Sequence, residues 1–537
     1  MKVPGDFQKI EAAVDRAMAH LKMSGFDDIF RPPIFIASIE LQVIRNNVPA
    51  IDKYLKQEAI KFLRAKSLIN SGIGKPRYFY NPKDHQSFRR VAWFEPIDIL
   101  KFTSLTLLVV DGIEAGRTPA EMNIVHSHRI SSSPSGIFSK EYGYDTFRAA
   151  SAQKTKEYFG GYKLVTDIAN FFDRISLHSL ENILKETGCP LEYVKFLNDV
   201  LIHFAGGRNS YGIPVGSDAS RILSEAALLN VDKRLRKENI DFVRYVDDFR
   251  VFSKTRAHLH SAMLLLTEVL QEEGLFLNHS KTAVQKIDNE KIEEEIIQEA
   301  INEHQPIKLD EVIVARGVSV TASGRSRISR YYKKPGLDAL RYLQALDIKK
   351  WQIDIAIFDA RQEKIIRDGI KYFLYVDPNL DIIEHAIRTK ISSIYYISDA
   401  LVKDGDRLAP DVRASTIALL LHELDYQNVC YPHAIPLMRI LASKPFLRPD
   451  ILEEAIQRCG LMGNTIYMRE LLLLSADTLS RSTIRNLAKN LFPQLPIEIQ
   501  RAVMDILKRT SAIDGVEREA LIKDMRNTSH DLILNFM

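Results

Sequence analysis

Three carboxylates are the residues best suited to chemistry. Asp247 and Asp248 are adjacent in Tyr245-Val246-Asp247-Asp248, with apolar runs on both sides. Neighbouring carboxylates repel, so a hairpin tip that holds them together makes sense when divalent cations neutralise them. Upstream, Asp167 ends the apolar run KLVTDI (163–168). A carboxylate closing a buried strand costs solvation energy unless it is paired or metal-bound. The competing reading of Asp167 is a helix cap, since Asp is favoured just before a helix. Asp167, Asp247 and Asp248 together supply what two-metal phosphoryl transfer requires. One ion activates an attacking 3′ hydroxyl and the other holds a triphosphate and its leaving pyrophosphate, about 4 Å apart.

Two further segments accompany them. Gly212-Ile-Pro-Val-Gly216-Ser217-Asp-Ala-Ser220 is a Gly/Pro loop leading into a helix. Its glycines, Gly216 among them, would let backbone approach a nucleotide or the end of a growing strand. Alone, the segment is equally a turn followed by an N-cap. Gly274-Leu-Phe-Leu-Asn278-His-Ser-Lys281-Thr282 brings a lysine that could protonate a leaving pyrophosphate, or simply be a solvated surface side chain.

The elements that position these residues follow from apolar spacing. KLVTDI reads as a buried strand, and SRILSEAALLNVDKRL (220–235) has helical spacing of apolar residues. DFVRY and FRVFS (241–245, 249–253) read as strands around a tight turn. HLHSAMLLLTEVLQEE (258–273) reads as an amphipathic helix stopped by Gly274, with LFLN after it as a strand. The expected fold class is therefore α+β, with a sheet covered by helices on one face. From about residue 335 the pattern is almost wholly helical. NEKIEEEIIQEAINEH (289–304) reads as a charged helix or linker, and SGRSRISR (323–330) as an exposed junction. Helix starts at Pro410, Pro449 and Pro496 resemble one another, with Thr416, Ala455 and Ala502 six residues into each. Their spacing suits HEAT-type helix pairs, though Pro at a helix start has backbone reasons of its own and an irregular bundle fits too.

The bulk properties exclude several classes. The 537 residues suggest more than one domain, and 46% hydrophobic with 26% charged residues is ordinary for a soluble globular protein. A net charge of +4 suits a nucleic-acid enzyme without diagnosing one. Cys189, Cys430 and Cys459 are scattered, which argues against a disulfide framework or zinc site and for a reducing cytoplasm. The opening MKVPGDFQKIEAAVDRAMAHLK has no apolar stretch of signal-peptide type, and no run reaches membrane-spanning length.

Four blocks in order resemble the palm of reverse transcriptases: Asp167–Phe172, Gly212–Ser220, Tyr245–Asp248 and Gly274–Thr282. Upstream, Ile113-Glu114-x-x-Arg117 and Asn123–Arg129 resemble the fingers of that group. Ser220-Arg221 replaces the Ser-Pro of retroviral, retron and intron enzymes. With RYVDD and a long helical C-terminal part, the chain is most similar to the abortive-infection reverse transcriptases, especially prophage-encoded ones.

The resemblance implies fingers (1–160), a palm (161–315) and an all-α HEAT-like domain (316–537). It implies an antiphage DNA polymerase that adds deoxynucleoside triphosphates without a template. It further implies a single-stranded product covalently attached to a protein hydroxyl, and a cytoplasmic homo-oligomer with no membrane association. Asp167, Asp247 and Asp248, with the Ile168 carbonyl, would hold two Mg2+ ions, with Mn2+ as the alternative. Arg129 would meet the triphosphate and Phe172 would act as sugar gate, with Gly216 and Tyr245 also at the nucleotide. Val215 stands where templated enzymes usually carry Gln, which fits template independence. Of the 20 tyrosines, Tyr78 and Tyr80, in the hinged loop SGIGKPRYFYNPKDH, are the priming candidates; the other reading is two aromatics anchoring a loop. A templated retron- or intron-type polymerase and a helical scaffold with a relic palm are the alternatives. The first predicts a thumb, the second a damaged carboxylate set.

Overall fold

The apolar runs around the three aspartates pair into one antiparallel sheet. In the computed structural model the strands are β1 (Arg77–Pro82), β2 (Phe88–Trp93), β3 (Tyr162–Thr166), β4 (Asp241–Tyr245), β5 (Asp248–Ser253) and β6 (Ala283–Lys286). β1 and β2 form a two-stranded sheet, and the others form a four-stranded sheet in the order β4-β5-β3-β6. The structure describes residues 4–25, 39–46, 49–69, 72–82, 88–133, 136–207, 209–288, 380–389, 394–424, 431–448, 450, 465–476, 479–529 and 531–537. The chain divides into two compact units: Met1–Phe30, Asn47–Tyr78 and Val91–Gln305 form one, and Arg31–Asn46, Phe79–Arg90 and Pro306–Met537 the other.

In the first unit the register places the catalytic candidates. Thr166 pairs with Phe249 and Tyr245 with Asp248, so the next residue after β3, Asp167, comes level with Asp248. Consecutive Phe242, Val243 and Arg244 are all buried, which means that both faces of the sheet are covered. This corrects the expectation of one helix-covered face. Helix Arg256–Glu272 packs on β3 and β5, as its spacing predicts, and helix Tyr144–Glu157 packs on β4 and β5. The second helix was hard to read because Ser151 and Thr155 share its buried side with Phe147 and Ala150.

The helical spacing over 220–235 belongs to two helices, Asp218–Ala226 and Leu229–Lys237. No Gly or Pro marks the break, so apolar spacing reads straight through it. The strand expected over LFLN is reduced to a single antiparallel bridge, Leu277 to Ile168, made by Ala169 N donating to the Phe276 carbonyl and Asn278 N to the Asp167 carbonyl. The strand in that region is β6, further on, paired with β3. Tyr78 and Tyr80 lie on β1 rather than in a loop, and the Tyr78 hydroxyl donates to the Phe204 carbonyl at 3.5 Å. Alternation in Arg-Tyr-Phe-Tyr outweighed the Gly and Pro residues that bracket it.

In the second unit, the described residues from 380 to 537 contain helices and no strand. Helix Ile394–Asp404 packs on Tyr431–Leu441, that on Thr465–Leu474, and that on Ile497–Arg509. Helix Pro410–Glu423 starts at Pro410, and Pro496 caps Ile497–Arg509; Thr416 and Ala502 are fully buried. Pro449 and Ala455, like 289–304 and 323–330, lie outside the described residues. Glu40 is buried between Arg469 at 3.0 Å and Arg501 at 3.3 Å, while Ile39 joins the apolar cluster of Val503 and Leu507. Among the described residues no helix is long and apolar enough to cross a membrane.

Candidate active site

The aspartates meet at the end of the sheet where β3 finishes and the β4–β5 hairpin turns. Tyr245 pairs with Asp248, leaving Val246 and Asp247 as a two-residue turn. Val246 has φ +54°, in the left-handed region where a β-branched side chain is an outlier. Such a conformation costs about 1–3 kcal/mol and survives only when its surroundings impose it.

Asp167 is buried, and it caps no helix: Asn170 precedes the short helix Phe171–Arg174. Its Oδ2 accepts from Lys281 Nζ at 2.6 Å, while its buried Oδ1 has no hydrogen-bond partner among the described residues. The loop after Leu277 holds this arrangement. Asn278 N donates to the Asp167 carbonyl at 2.9 Å, Thr282 Oγ1 donates to the Asn278 carbonyl at 2.8 Å, and Thr282 meets Thr166 Oγ1 at 2.7 Å. Lys281 therefore reaches the aspartates through a fixed turn, although its side chain is 53% exposed. Asp248 lies 3.8 Å from Arg250.

Electrostatics ties the group together. Burial, then Asp248 and Asp167, push the Asp247 carboxyl up to about 7. Burial raises Asp248 as well; Arg250 and Lys281 oppose the shift and Asp167 adds to it. Burial works against the Lys281 charge, yet its bond to Asp167 and the pull of all three carboxylates raise it overall. Three carboxylates facing one protein ammonium, one of them with an orphaned oxygen, form a donor set that fits divalent cations. Among the described residues no group of three His, Cys, Asp or Glu side chains forms a ready-made metal cage.

The raised Asp247 pKa has a consequence for stability. Between about pH 4 and 7 the folded chain holds a proton on Asp247 that the unfolded chain has released, so stability falls as pH rises through that window. Asp247→Asn should stabilise the metal-free chain by about 1–2 kcal/mol above pH 7, after allowance for solvent screening. Denaturation at several pH values checks this: the gain should vanish towards pH 4, and a gain independent of pH overturns the assignment.

The other candidates are placed as follows. Phe172 is half-buried, whereas Phe171 beside it is the core residue, their rings 5.5 Å apart. Ile168 follows Asp167 and bridges Leu277. Tyr245 packs against Tyr144, Phe147 and His128, with ring centroids 5.4–6.0 Å away. Gly216 has φ +116°, and a Cβ there would meet the Ala92 carbonyl and Val91 at 3.0 Å, so β2 is what approaches this glycine. Arg129 is buried; it donates to the Thr118 carbonyl and lies 3.5 Å from Glu114. It is not brought into contact with the aspartates.

Sequence reasoning missed the ion cluster beneath the hairpin. Arg244 is 1% exposed; its Nε and Nη2 donate to Asp232 at 2.8 and 2.5 Å, its Nη2 to Glu225 at 3.2 Å, and its Nη1 to the Val246 carbonyl at 2.8 Å. Glu225 also accepts from Arg117 at 3.1 Å and Ser127 at 2.5 Å. Burial disfavours the charge on each, yet Asp232 and Glu225 raise Arg244, and Arg244 and Arg117 lower Glu225. The signal was present: Glu225, Asp232 and Arg244 are charged residues in apolar phase within helix and strand.

Residues 121–308 match the family model for reverse transcriptase (RNA-dependent DNA polymerase). The chain carries a reverse-transcriptase domain. All four palm blocks named above lie within the matched span, as do Asn123–Arg129. A solved structure of telomerase from Candida albicans, in complex with a TWJ fragment of telomeric RNA, is similar at 13% identity and a TM-score of 0.29. The match covers 67% of this chain and 65% of that one, so the present chain spans just under two thirds of its length. No curated protein matches the chain.

Proposed function

We propose that this chain is a DNA polymerase of reverse-transcriptase type that adds deoxynucleotides without a template, in abortive-infection defence against phage. The observation that carries the chemistry is the meeting of Asp167, Asp247 and Asp248 at one sheet end, with Lys281 seated on Asp167. Asp167, Asp247 and Asp248, with the Ile168 carbonyl, would hold two Mg2+ or Mn2+ ions. Bound there, the ions supply Lewis-acid activation of the attacking hydroxyl and neutralise charge on the triphosphate. Lys281, which keeps a proton at Nζ beside Asp167, would give it to the leaving pyrophosphate. Arg129 would serve the triphosphate after leaving the Thr118 carbonyl and Glu114. Gly216 and Tyr245 would shape the nucleotide pocket.

Val215 supports template independence through the Gln it replaces. The row of alternate helices from Ile394 to Arg509 supports a HEAT-like repeat domain over 316–537, after fingers at 1–160 and a palm at 161–315. Protein priming from Tyr78 or Tyr80, a covalently attached single strand, a homo-oligomer and a cytoplasmic setting complete the reading.

The test is purified, nuclease-treated protein incubated with labelled deoxynucleotides, Mg2+ and no added nucleic acid. Incorporation with random or homopolymer product is expected. Product that tracks an added RNA overturns template independence, and no incorporation with or without RNA overturns the polymerase reading. Mass spectrometry of nuclease-trimmed product reports the primer: an adduct outside β1 removes Tyr78 and Tyr80, and a free 5′ end removes protein priming.

Phe172 provides a separate check on substrate. Half-buried and five residues after Asp167, it carries a ring that would clash with a ribose 2′ hydroxyl. Phe172→Val should raise ribonucleotide use about tenfold or more relative to deoxynucleotide use. An equal loss with both sugars makes it a packing residue only.

A further inference from the structure

We infer that Arg244 is the positioning residue of the catalytic turn: its guanidinium holds the strained Val246 backbone and thereby aims Asp247 and Asp248. The inference rests on the polymerase reading of that turn. Arg244 is two residues from Val246, on the strand that delivers it, and its Nη1 donates to the Val246 carbonyl at 2.8 Å. Val246, at φ +54°, has no glycine-like freedom to adopt that conformation unaided.

The guanidinium itself cannot wander. Asp232 takes Nε and Nη2, Glu225 takes Nη2, and both carboxylates belong to buried helix faces beneath the sheet. The strand carrying Arg244 is fixed too: its N–H donates to the Ile124 carbonyl at 2.8 Å, and its carbonyl accepts from His126 N at 3.0 Å. Arg117 ties the same stretch to Glu225, donating to the Ser127 carbonyl at 2.5 Å and the His128 carbonyl at 3.0 Å. Fingers segment, helix and hairpin thus converge on one guanidinium, and the only turn atom it grips is the carbonyl that precedes Asp247.

A lysine keeps the buried charge but cannot serve two carboxylates and a carbonyl at once. Arg244→Lys should therefore stay folded, weaken Mn2+ binding about tenfold and lower incorporation by about 10–100-fold, as loss of a group that orients metal ligands does. Mn2+ occupancy, read by electron paramagnetic resonance, needs no polymerisation. Should Arg244→Lys fail to fold, Arg244→Met with Asp232→Asn removes opposite charges together and is read in the same way.

Val246→Gly separates aiming from plain support, because glycine takes positive φ without strain. Added to the folded Arg244 variant, it should recover most of the lost Mn2+ affinity. Wild-type Mn2+ binding in the Arg244 variant, or no recovery with Val246→Gly, overturns the inference. The expected loss of Mn2+ affinity and its recovery with Val246→Gly, in a chain that never incorporates nucleotides, leave Arg244 in its role and remove the polymerase reading instead.

Discussion

Replacing Asp247 and Asp248 together with asparagine should lower deoxynucleotide incorporation by at least about a thousandfold, because electrostatic stabilisation at such a site supplies most of the rate. The substitution keeps volume and shape, so the hairpin should persist. Removing two carboxylates that repel each other and Asp167 should not destabilise it. Single-turnover incorporation by a variant with unchanged circular dichroism is the measurement. Incorporation within about tenfold of the unmodified chain would exclude these carboxylates as the group that stabilises the transition state.

The second large effect concerns stability rather than rate. Glu225 is wholly buried and accepts from Arg117, Arg244 and Ser127. Glu225→Ala leaves Arg117 without its buried carboxylate and gives Arg244 only Asp232. Breaking a buried ion group from one side costs about 3–5 kcal/mol, mostly as the desolvation of what is left behind. Chemical denaturation should show that loss, with a smaller one for Glu225→Gln, which keeps acceptor and shape. A loss below about 1 kcal/mol for the alanine variant would mean that water replaces the carboxylate and that the cluster is not sealed. Surface pairs such as Arg448 with Asp450, both more than half exposed, should cost almost nothing by the same test.

Much of the candidate site is legible in the sequence. The order of Asp167, Gly212–Ser220, Tyr245–Asp248 and Lys281 points to a reverse-transcriptase domain, and the family match spans all of them. β3, β4, β5 and helix Arg256–Glu272 were readable because each carries its own periodicity and a sharp turn or glycine at its end. Local pattern failed where pairing partners decide. Leu277 has strand-like neighbours, but its pairing with the segment after β3 stops at the single bridge to Ile168. Ala283–Lys286 pairs with β3, yet it is short and only half-buried. Tyr78 and Tyr80 sit between Gly and Pro residues, yet pairing with β2 makes a strand of them.

The residue types and their spacing determined which groups could do chemistry here: carboxylates at strand ends and a hairpin tip, and a lysine after a glycine-stopped helix. What only the tertiary structure decided was which charges meet. Lys281 on Asp167, Arg244 on the Val246 carbonyl and Glu225 between two arginines join residues from different elements. The reason is physical. A charge written into an apolar helix or strand shows that a partner is required, since burial alone would be too costly. Which partner it finds depends on how helices and strands pack, and that geometry belongs to the folded chain.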